Sequence, residues 1–202
     1  MRLLLATQNR HKINEIRAIL KDWHGQLISL VELAPQYKIE EIGATLEENA
    51  KLKAEIAMRK FNEISLGEDT GLEVDILFGR PGVYSARYAG DNATYEQNVV
   101  KLLTELKDIP IEKRTARFRC LCALAFPEKY NIPTQLFEGV CMGRIIFEPR
   151  GKGGFGYDPI FVPNGYTTTF AELTSEEKNR ISHRALALIK VRAYLDNLFI
   201  SK

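Results

Sequence analysis

Two adjacent acidic residues, Glu68 and Asp69, form the part of the sequence best suited to chemistry on a charged substrate. They lie between Gly67 and Gly71, and this spacing predicts a sharp turn because glycine adopts backbone angles that other residues avoid. Carboxylates on such a turn suit Mg²⁺, which takes one or two protein carboxylates together with oxygens of a substrate. The same pattern is also typical of a solvated acidic turn, so it does not establish a metal site alone.

The N-terminal loop is a second candidate, for phosphate binding. The apolar run 3–6 predicts a buried strand, and a helical pattern follows directly after a short polar turn. This order of elements places backbone N–H groups around a phosphate. Thr7 or Asn9 can cap the helix, whereas Arg10 and Lys12 put positive charge in its first turn, which is unfavourable for the helix dipole unless an anion binds there. A capped surface helix with incidental basic residues is the alternative.

A glycine-rich stretch, residues 151–162, is a third candidate. Its four glycines allow a ligand to approach the backbone, Phe155 and Tyr157 can stack on a base, and Asp158 offers a polar contact. The stretch lacks the Gly-Lys-Ser/Thr ending of a P-loop, so it predicts a phosphate site only weakly. A glycine-rich turn between strands is the alternative.

Residues 172–184 contain a capping box at Thr174, followed by Lys178 and the pair His183-Arg184. A lone histidine beside an arginine is usually a surface residue or a satisfied one, so spacing alone favours no catalytic role. The three histidines of the chain show no metal-ligand spacing.

The other elements follow from periodicity and caps and predict an α/β fold with a mixed sheet. They are strands at 27–33, 64–67, 72–76, 116–126 and 136–147, the last two as an antiparallel pair, and helices beginning after capping boxes at Thr45, Thr94 and Thr174.

Bulk properties narrow the class of protein. The chain has 202 residues, 45% of them hydrophobic and 27% charged, which predicts a soluble globular protein of one domain or two closely packed lobes. A net charge of +2 argues against a general nucleic-acid binder. Cys120, Cys122 and Cys141 predict reduced, buried thiols, and no segment predicts a signal peptide or a membrane span, so we expect a cytoplasmic protein.

Six ordered motifs across nearly the whole chain resemble the Ham1/RdgB family of inosine triphosphatase-like pyrophosphatases. They are Thr7-Gln8-Asn9-Arg10-His11-Lys12; Glu47-Glu48-Asn49-Ala50 with Lys53-Ala54; Glu68-Asp69-Thr70-Gly71-Leu72; the run Arg80 to Tyr88, RPGVYSARY; the run 153–161, GGFGYDPIF; and the run 172–184, ELTSEEKNRISHR. Four positions depart from the family pattern: Glu68 for Asp, Thr70 for Ser, Phe78 for Gly and Ala185 for Gly.

The resemblance implies a single domain over residues 1–202, an α/β fold with an elongated mixed sheet flanked by helices, and two lobes around a substrate cleft. It implies Mg²⁺-dependent hydrolysis of dITP, ITP and XTP to the monophosphate and pyrophosphate by a cytoplasmic homodimer that binds neither nucleic acid nor membrane. Asp69 would be the proton acceptor and a metal ligand, and Glu40 a second metal ligand, although the sequence does not separate Glu40 from Glu41. The implied substrate-binding residues are Thr7, Gln8, Asn9, Arg10, His11, Lys12, Lys53, Thr70, Phe155, Gly156, Tyr157, Asp158, Lys178, His183 and Arg184.

On this hypothesis Asp69 activates a water that attacks the α-phosphorus, while Mg²⁺, Lys12 and Lys53 hold the charge of the leaving pyrophosphate. Donors near His183 and Arg184 would select a purine with oxygen at position six. Two alternatives stay open: a nucleotide-binding regulatory module without turnover, and a phosphatase that removes terminal phosphates.

Overall fold

Strands and helices alternate in the first third of the chain, and a mixed sheet joins all the strands. The structure, a computed structural model, describes residues 1–199. Its strands are β1 (Arg2–Leu5), β2 (Gln26–Ser29), β3 (Ile64–Val74), β4 (Pro81–Gly82), β5 (Thr115–Ala125), β6 (Gln135–Ile145) and β7 (Phe161–Pro163). Its α-helices are α1 (Arg10–Ile19), α2 (Leu30–Leu33), α3 (Leu46–Phe61), α4 (Tyr95–Glu105), α5 (Ser175–Ile181) and α6 (His183–Phe199).

The sheet has the order β2-β1-β3-β5-β6-β7, and β4 pairs with β3. β1 is parallel to β2 and β3, whereas β4 is antiparallel to β3 and β7 is antiparallel to β6. Parallel strands need a crossover connection, which α1 provides between β1 and β2. α3 lies in the connection that leads from β2 to β3, on the other side of β1. The predicted α/β fold with a mixed sheet flanked by helices is confirmed. None of the helices within residues 1–199 is long and apolar enough to cross a membrane.

The chain forms two compact units. Unit 1 contains Met1–Asp69, Cys120–Gly139 and the residues from Arg184 onward, and unit 2 contains Thr70–Arg119 and Val140–His183. The single domain implied for residues 1–202 stays a prediction.

In unit 1, helices cover both faces of the sheet. Leu5 and Leu66 point to one face and pack with Ile16 of α1 and Leu188 of α6, within one buried apolar cluster. Leu4 and Ala6 point to the other face and pack with Ala57 of α3. Alternate residues of a strand point to opposite faces, so neighbouring residues of β1 and β3 are directed at different helices. This alternation decides the environment of each acidic residue on β3.

In unit 2, α4 packs its buried face on the sheet. Val99 and Leu102 of α4 belong to one cluster with Leu72, Phe118 and Phe161 from three strands. The caps of three helices agree with the sequence prediction: Asn9 accepts hydrogen bonds from the first turn of α1, and complete capping boxes begin α4 and α5. The capping box predicted at Thr45 is incomplete, because the Glu48 side chain accepts from the nitrogen of Ala44 and not from that of Thr45.

The acidic pair does not lie on a turn. β3 runs without interruption from Ile64 to Val74, so the turn predicted at 67–71 is wrong. Gly67 is required for another reason: a Cβ there would lie 2.1 Å from the carbonyl oxygen of Ala50 and 2.6 Å from the nitrogen of Ala54. The close approach of α3 to β3, and not a bend, explains this glycine.

The strand predicted at 27–33 is wrong in its second half. β2 ends at Ser29, and the next four residues form α2. Glu32 accepts hydrogen bonds from the backbone nitrogen and the hydroxyl of Ser29, at 2.8 and 2.9 Å, which completes a capping box within a continuous apolar run. Cys120, Cys122 and Cys141 are free and buried, as predicted.

Candidate active site

The N-terminal loop of unit 1 is held in one conformation by its own side chains. Asn9 Oδ1 accepts hydrogen bonds from the backbone nitrogens of His11 and Lys12, at 3.0 and 3.3 Å. Thr7 Oγ1 accepts one from the nitrogen of Asn9, at 3.1 Å. Both polar side chains therefore shape the loop between β1 and α1, while Arg10 and His11 are exposed at the start of the helix.

A cavity of about 260 Å³ opens beside this loop. It is lined by Ala6, Thr7, Gln8, Asn9, Leu30, Lys38, Ile39, Glu41 and Lys53. Its polar lining combines two lysines, a hydroxyl, two amides and one carboxylate, which is a suitable set for a metal-associated phosphate.

Lys53 joins two carboxylates at this cavity. Its ammonium lies 3.0 Å from Asp69 Oδ1 and 2.9 Å from Glu41 Oε1. Asn49, one turn before Lys53 on the buried face of α3, donates to Asp69 Oδ2 at 3.2 Å. The close helix approach at Gly67 therefore brings two side chains of α3 to the carboxylate on β3.

Burial and neighbouring charges shift the pKa values of Asp69 and Lys53. Desolvation raises the pKa of Asp69, and the positive charges of Lys53 and Lys12 offset it only in part. Desolvation also opposes the charged form of Lys53, but the carboxylates of Asp69 and Glu41 outweigh it and raise the pKa of the ammonium. A carboxylate with a raised pKa is a better proton acceptor near neutral pH than an ordinary one.

Glu68 belongs to a different cluster because it points to the other face of β3. Its two oxygens accept from Arg184 Nη2 and Nε at 2.9 and 3.2 Å, and Lys12 Nζ lies 3.5 Å from Oε1. Arg184 also pairs with Glu15. Desolvation opposes the guanidinium charge, yet Glu68 and Glu15 hold the pKa of Arg184 well above its usual value. The buried cation on α6 is therefore neutralised inside unit 1.

Unit 2 holds the remaining predicted residues. Lys178 Nζ lies 2.6 Å from Asp158 Oδ2, and both side chains are buried. Asp158 also accepts from the nitrogen of Phe155 at 2.8 Å, and Lys178 lies 5.3 Å from the centre of the Phe155 ring. These contacts fix the glycine-rich loop so that an aromatic ring and a cation lie close together. Such an arrangement is suited to a flat ligand, which can stack on the ring.

Four other predicted residues of unit 2 have separate environments. The Tyr157 hydroxyl donates to the carbonyl oxygen of Ser85 at 2.9 Å, and desolvation raises its pKa. His183 is buried and stacks on Phe118, with ring centres 4.6 Å apart and planes 13° apart. Thr70 is half-buried on β3, and Gly156 has a φ of +63° in its loop.

The structure thus groups Thr7, Gln8, Asn9 and Lys53 around one cavity. Asp69 is not part of the lining but forms an ion pair with Lys53, which is. Sequence reasoning assigned no role to Asn49, Glu15 or Lys38. The signal available for Asn49 was its position four residues before Lys53 in a predicted helix, because residues at that spacing lie on one helix face. Glu15 and Lys38 gave no such signal.

The two candidates for the second metal ligand differ in position. Both are exposed, but Glu41 lines the cavity and contacts Lys53, whereas Glu40 does not belong to the lining. The metal role of Glu40 stays a prediction, and so does that of Glu41, the alternative that the sequence leaves open. Within residues 1–199 no three histidine, cysteine or acidic side chains form a ready-made metal site. Mg²⁺ suits such a place because it needs only one or two carboxylates besides substrate oxygens.

Comparisons with known proteins cover almost the whole chain. The Ham1 family model matches residues 3–194. A dITP/XTP pyrophosphatase of Thermoanaerobacter pseudethanolicus is 47% identical over 195 residues, 96% of each chain, and one of Bacillus subtilis is 48% identical over 193 residues, again 96% of each. The solved Ham1 proteins of Staphylococcus aureus and Coxiella burnetii are each 40% identical, with TM-scores of 0.85 and 0.87, and each comparison covers 98% of this chain and 99% of the other.

Proposed function

The chain belongs to the Ham1 family, and from that premise we propose that it hydrolyses dITP, ITP and XTP to the nucleoside monophosphate and pyrophosphate. The names of the curated relatives support this reaction. The observation that supports it most strongly in the chain itself is the group formed by Asp69, Lys53 and Glu41 at the cavity beside the N-terminal loop. Removal of such nucleotides would keep them out of DNA and RNA.

Asp69 is the proposed proton acceptor. Each of its oxygens has two lone pairs, and Lys53 and Asn49 use one on each oxygen. A remaining lone pair can therefore take a proton from the water that attacks the α-phosphorus. The bond from that phosphorus to the bridging oxygen then breaks, and pyrophosphate leaves. The raised pKa of the carboxyl makes the transfer more favourable than for an exposed aspartate.

Mg²⁺ is the proposed cofactor, held by Asp69 with Glu41 or Glu40. Asp69 and Glu41 carry two negative charges against the single charge of Lys53 that they share, so the group attracts a further cation. When bound, Mg²⁺ would withdraw negative charge from the phosphate oxygens. Lys53 keeps the two carboxylates oriented, and Lys12, fixed by Glu68, adds positive charge near the loop.

The binding of the base is proposed for unit 2. Phe155, Lys178 and Asp158 form a fixed group with an aromatic face and both a donor and an acceptor. Base recognition by His183 and Arg184 stays a prediction, and the structure shows Arg184 engaged with two carboxylates. Action as a homodimer in the cytoplasm is likewise proposed from the resemblance.

Product analysis tests the reaction. The purified chain is incubated with dITP, ITP, XTP and ATP in the presence of Mg²⁺, and pyrophosphate, orthophosphate and monophosphate are separated by ion chromatography. We expect equal amounts of pyrophosphate and monophosphate from the first three substrates. Orthophosphate as the main product would indicate a terminal phosphatase, and nucleotide binding without products would indicate a regulatory module.

The variant Asp69→Asn tests the assignment of the proton acceptor. We expect kcat for dITP to fall about 10²- to 10⁴-fold, the range for loss of a general base, while calorimetry still detects dITP binding. Turnover close to that of the wild type would remove Asp69 from this role.

A further inference from the structure

The side chain of Gln8 is used to hold a segment of the protein. Its amide nitrogen donates one hydrogen bond to the carbonyl oxygen of Pro35, at 2.9 Å, and one to that of Tyr37, at 2.6 Å. These bonds link the N-terminal loop to a segment 27 to 29 residues away. Both donors of the amide are therefore committed to the protein, and the substrate-binding role of Gln8 stays a prediction.

The same segment is fixed from its other side by apolar contacts. Tyr37 meets the ring of Phe61 edge-on, with centres 5.6 Å apart, and Ile39 packs against the cluster that contains Leu4 and Ala57. Lys38 lies between these two anchored residues and is exposed, and it lines the cavity together with Lys53. Its backbone position is thus determined although its side chain is long and flexible.

The charges of the other nearby lysines are already paired. Lys53 contacts two carboxylates within 3.0 Å, and Lys12 lies beside Glu68. Within residues 1–199, the ion pairs at the cavity do not include Lys38. Its positive charge is therefore not held in an ion pair with an acidic side chain of residues 1–199, and it is available to a bound anion.

We propose that Lys38 binds the outer phosphates of the substrate, which leave as pyrophosphate, and that Gln8 is the positioning residue that holds Lys38 at the cavity. The proposal rests on the proposed function. Lys53 is buried beside Asp69, where the α-phosphorus would react, whereas Lys38 is at the exposed part of the lining. An exposed ammonium is suited to phosphates that must enter from solvent and return to it.

The first experiment measures the binding of pyrophosphate by calorimetry, with Mg²⁺ present throughout. We expect Lys38→Gln to raise the Kd of pyrophosphate and the KM of dITP about fivefold, as expected for one charge at a partly solvated site, and to leave kcat and the Kd of dIMP within twofold. Lys38→Arg should retain most of the affinity. Lys21→Gln is the matched control, because Lys21 is an exposed lysine outside the cavity lining.

The second experiment tests the positioning role. Gln8→Met keeps the length of the side chain but removes both hydrogen-bond donors. We expect it to raise the Kd of pyrophosphate about as much as Lys38→Gln does. In the double variant the two effects should not add, because both remove the same charge from the cavity. Circular dichroism and thermal unfolding confirm that each variant is folded.

The outcomes separate this inference from the reaction. Failure of the wild type to release pyrophosphate from dITP would overturn the proposed function itself. An active wild type in which Lys38→Gln leaves the Kd of pyrophosphate unchanged would overturn only the role of Lys38. An equal effect in Lys21→Gln would also overturn it, and full additivity of Gln8→Met with Lys38→Gln would overturn the role of Gln8.

Discussion

Gly67→Ala tests whether the close packing of α3 on β3 positions the catalytic group. The added Cβ would lie 2.1 Å from the carbonyl oxygen of Ala50, whereas close carbon–oxygen contacts begin at about 3.3 Å. The contacting atoms are backbone atoms, so rotation of a side chain does not relieve the clash. The helix must instead move away from the strand by roughly 1 Å, since it needs that distance to restore an ordinary contact.

This displacement has two measurable consequences. Overpacking of this kind destabilises a protein by about 1–3 kcal/mol, which urea denaturation measures as a lower midpoint. The displaced helix carries Asn49 and Lys53, whose contacts to Asp69 are already 3.2 and 3.0 Å long. A misplacement of about 1 Å at a reacting group lowers turnover roughly 10²-fold, so kcat for dITP should fall by about that factor.

A second glycine variant separates stability from position. Gly165 has a φ of +84°, and a Cβ at this position would meet nothing within 4 Å, so Gly165→Ala introduces backbone strain of about 1 kcal/mol without displacing a helix. It should lower the denaturation midpoint and leave kcat unchanged. If Gly67→Ala retained wild-type kcat despite lower stability, the positioning argument would be refuted, and retention of both would refute the packing argument as well.

Two further predictions concern the buried charges. Burial raises the pKa of Asp69, so the folded state binds a proton at this carboxylate more tightly than the unfolded chain does. The contribution of Asp69 to the free energy of unfolding therefore declines as pH rises from the usual aspartate pKa through the raised one. Urea titrations of the wild type and of Asp69→Asn across this pH range should give a difference in the free energy of unfolding that changes with pH, and a constant difference would contradict the raised pKa. Arg184→Met removes the guanidinium that pairs with the buried Glu68 and the half-buried Glu15, and it should lower the free energy of unfolding by about 3–5 kcal/mol. Arg180→Met removes an exposed ion pair and should change the free energy of unfolding by less than about 0.5 kcal/mol. Similar losses in both variants would show that the buried ion pairs of Arg184 do not stabilise the fold more than an exposed one.

The helix caps and the main strands could be predicted from the sequence because their signals are local. Asn9, Thr94 and Thr174 each precede a periodic apolar pattern, and each caps a helix in the structure. The turn at 67–71 was predicted wrongly because glycine has two uses, and the sequence alone does not distinguish a bend from the close approach of a helix. That approach depends on α3 residues more than ten positions earlier.

The candidate site shows the same division. Lys53 and Asp69 could be assigned to one site through motifs, and the structure places their charged atoms 3.0 Å apart. The partners of Glu68 could not be predicted, because Arg184 lies 116 residues away. The hydrogen bond from Gln8 to the carbonyl oxygen of Tyr37 could not be predicted from the sequence, because any residue can supply a carbonyl oxygen.

The opposite orientation of Glu68 and Asp69 makes the length of β3 before them critical. Deletion or insertion of a single residue between Ile64 and Gly67 would rotate every later side chain to the other face of the strand. The two acidic residues would remain adjacent in the sequence, but Asp69 would then face Arg184 on α6, and Glu68 would face Lys53 on α3. The parallel pairing of β1 with β3, which sets Leu3 opposite Ile64 and Leu5 opposite Leu66, is therefore what assigns each acid to its own cation.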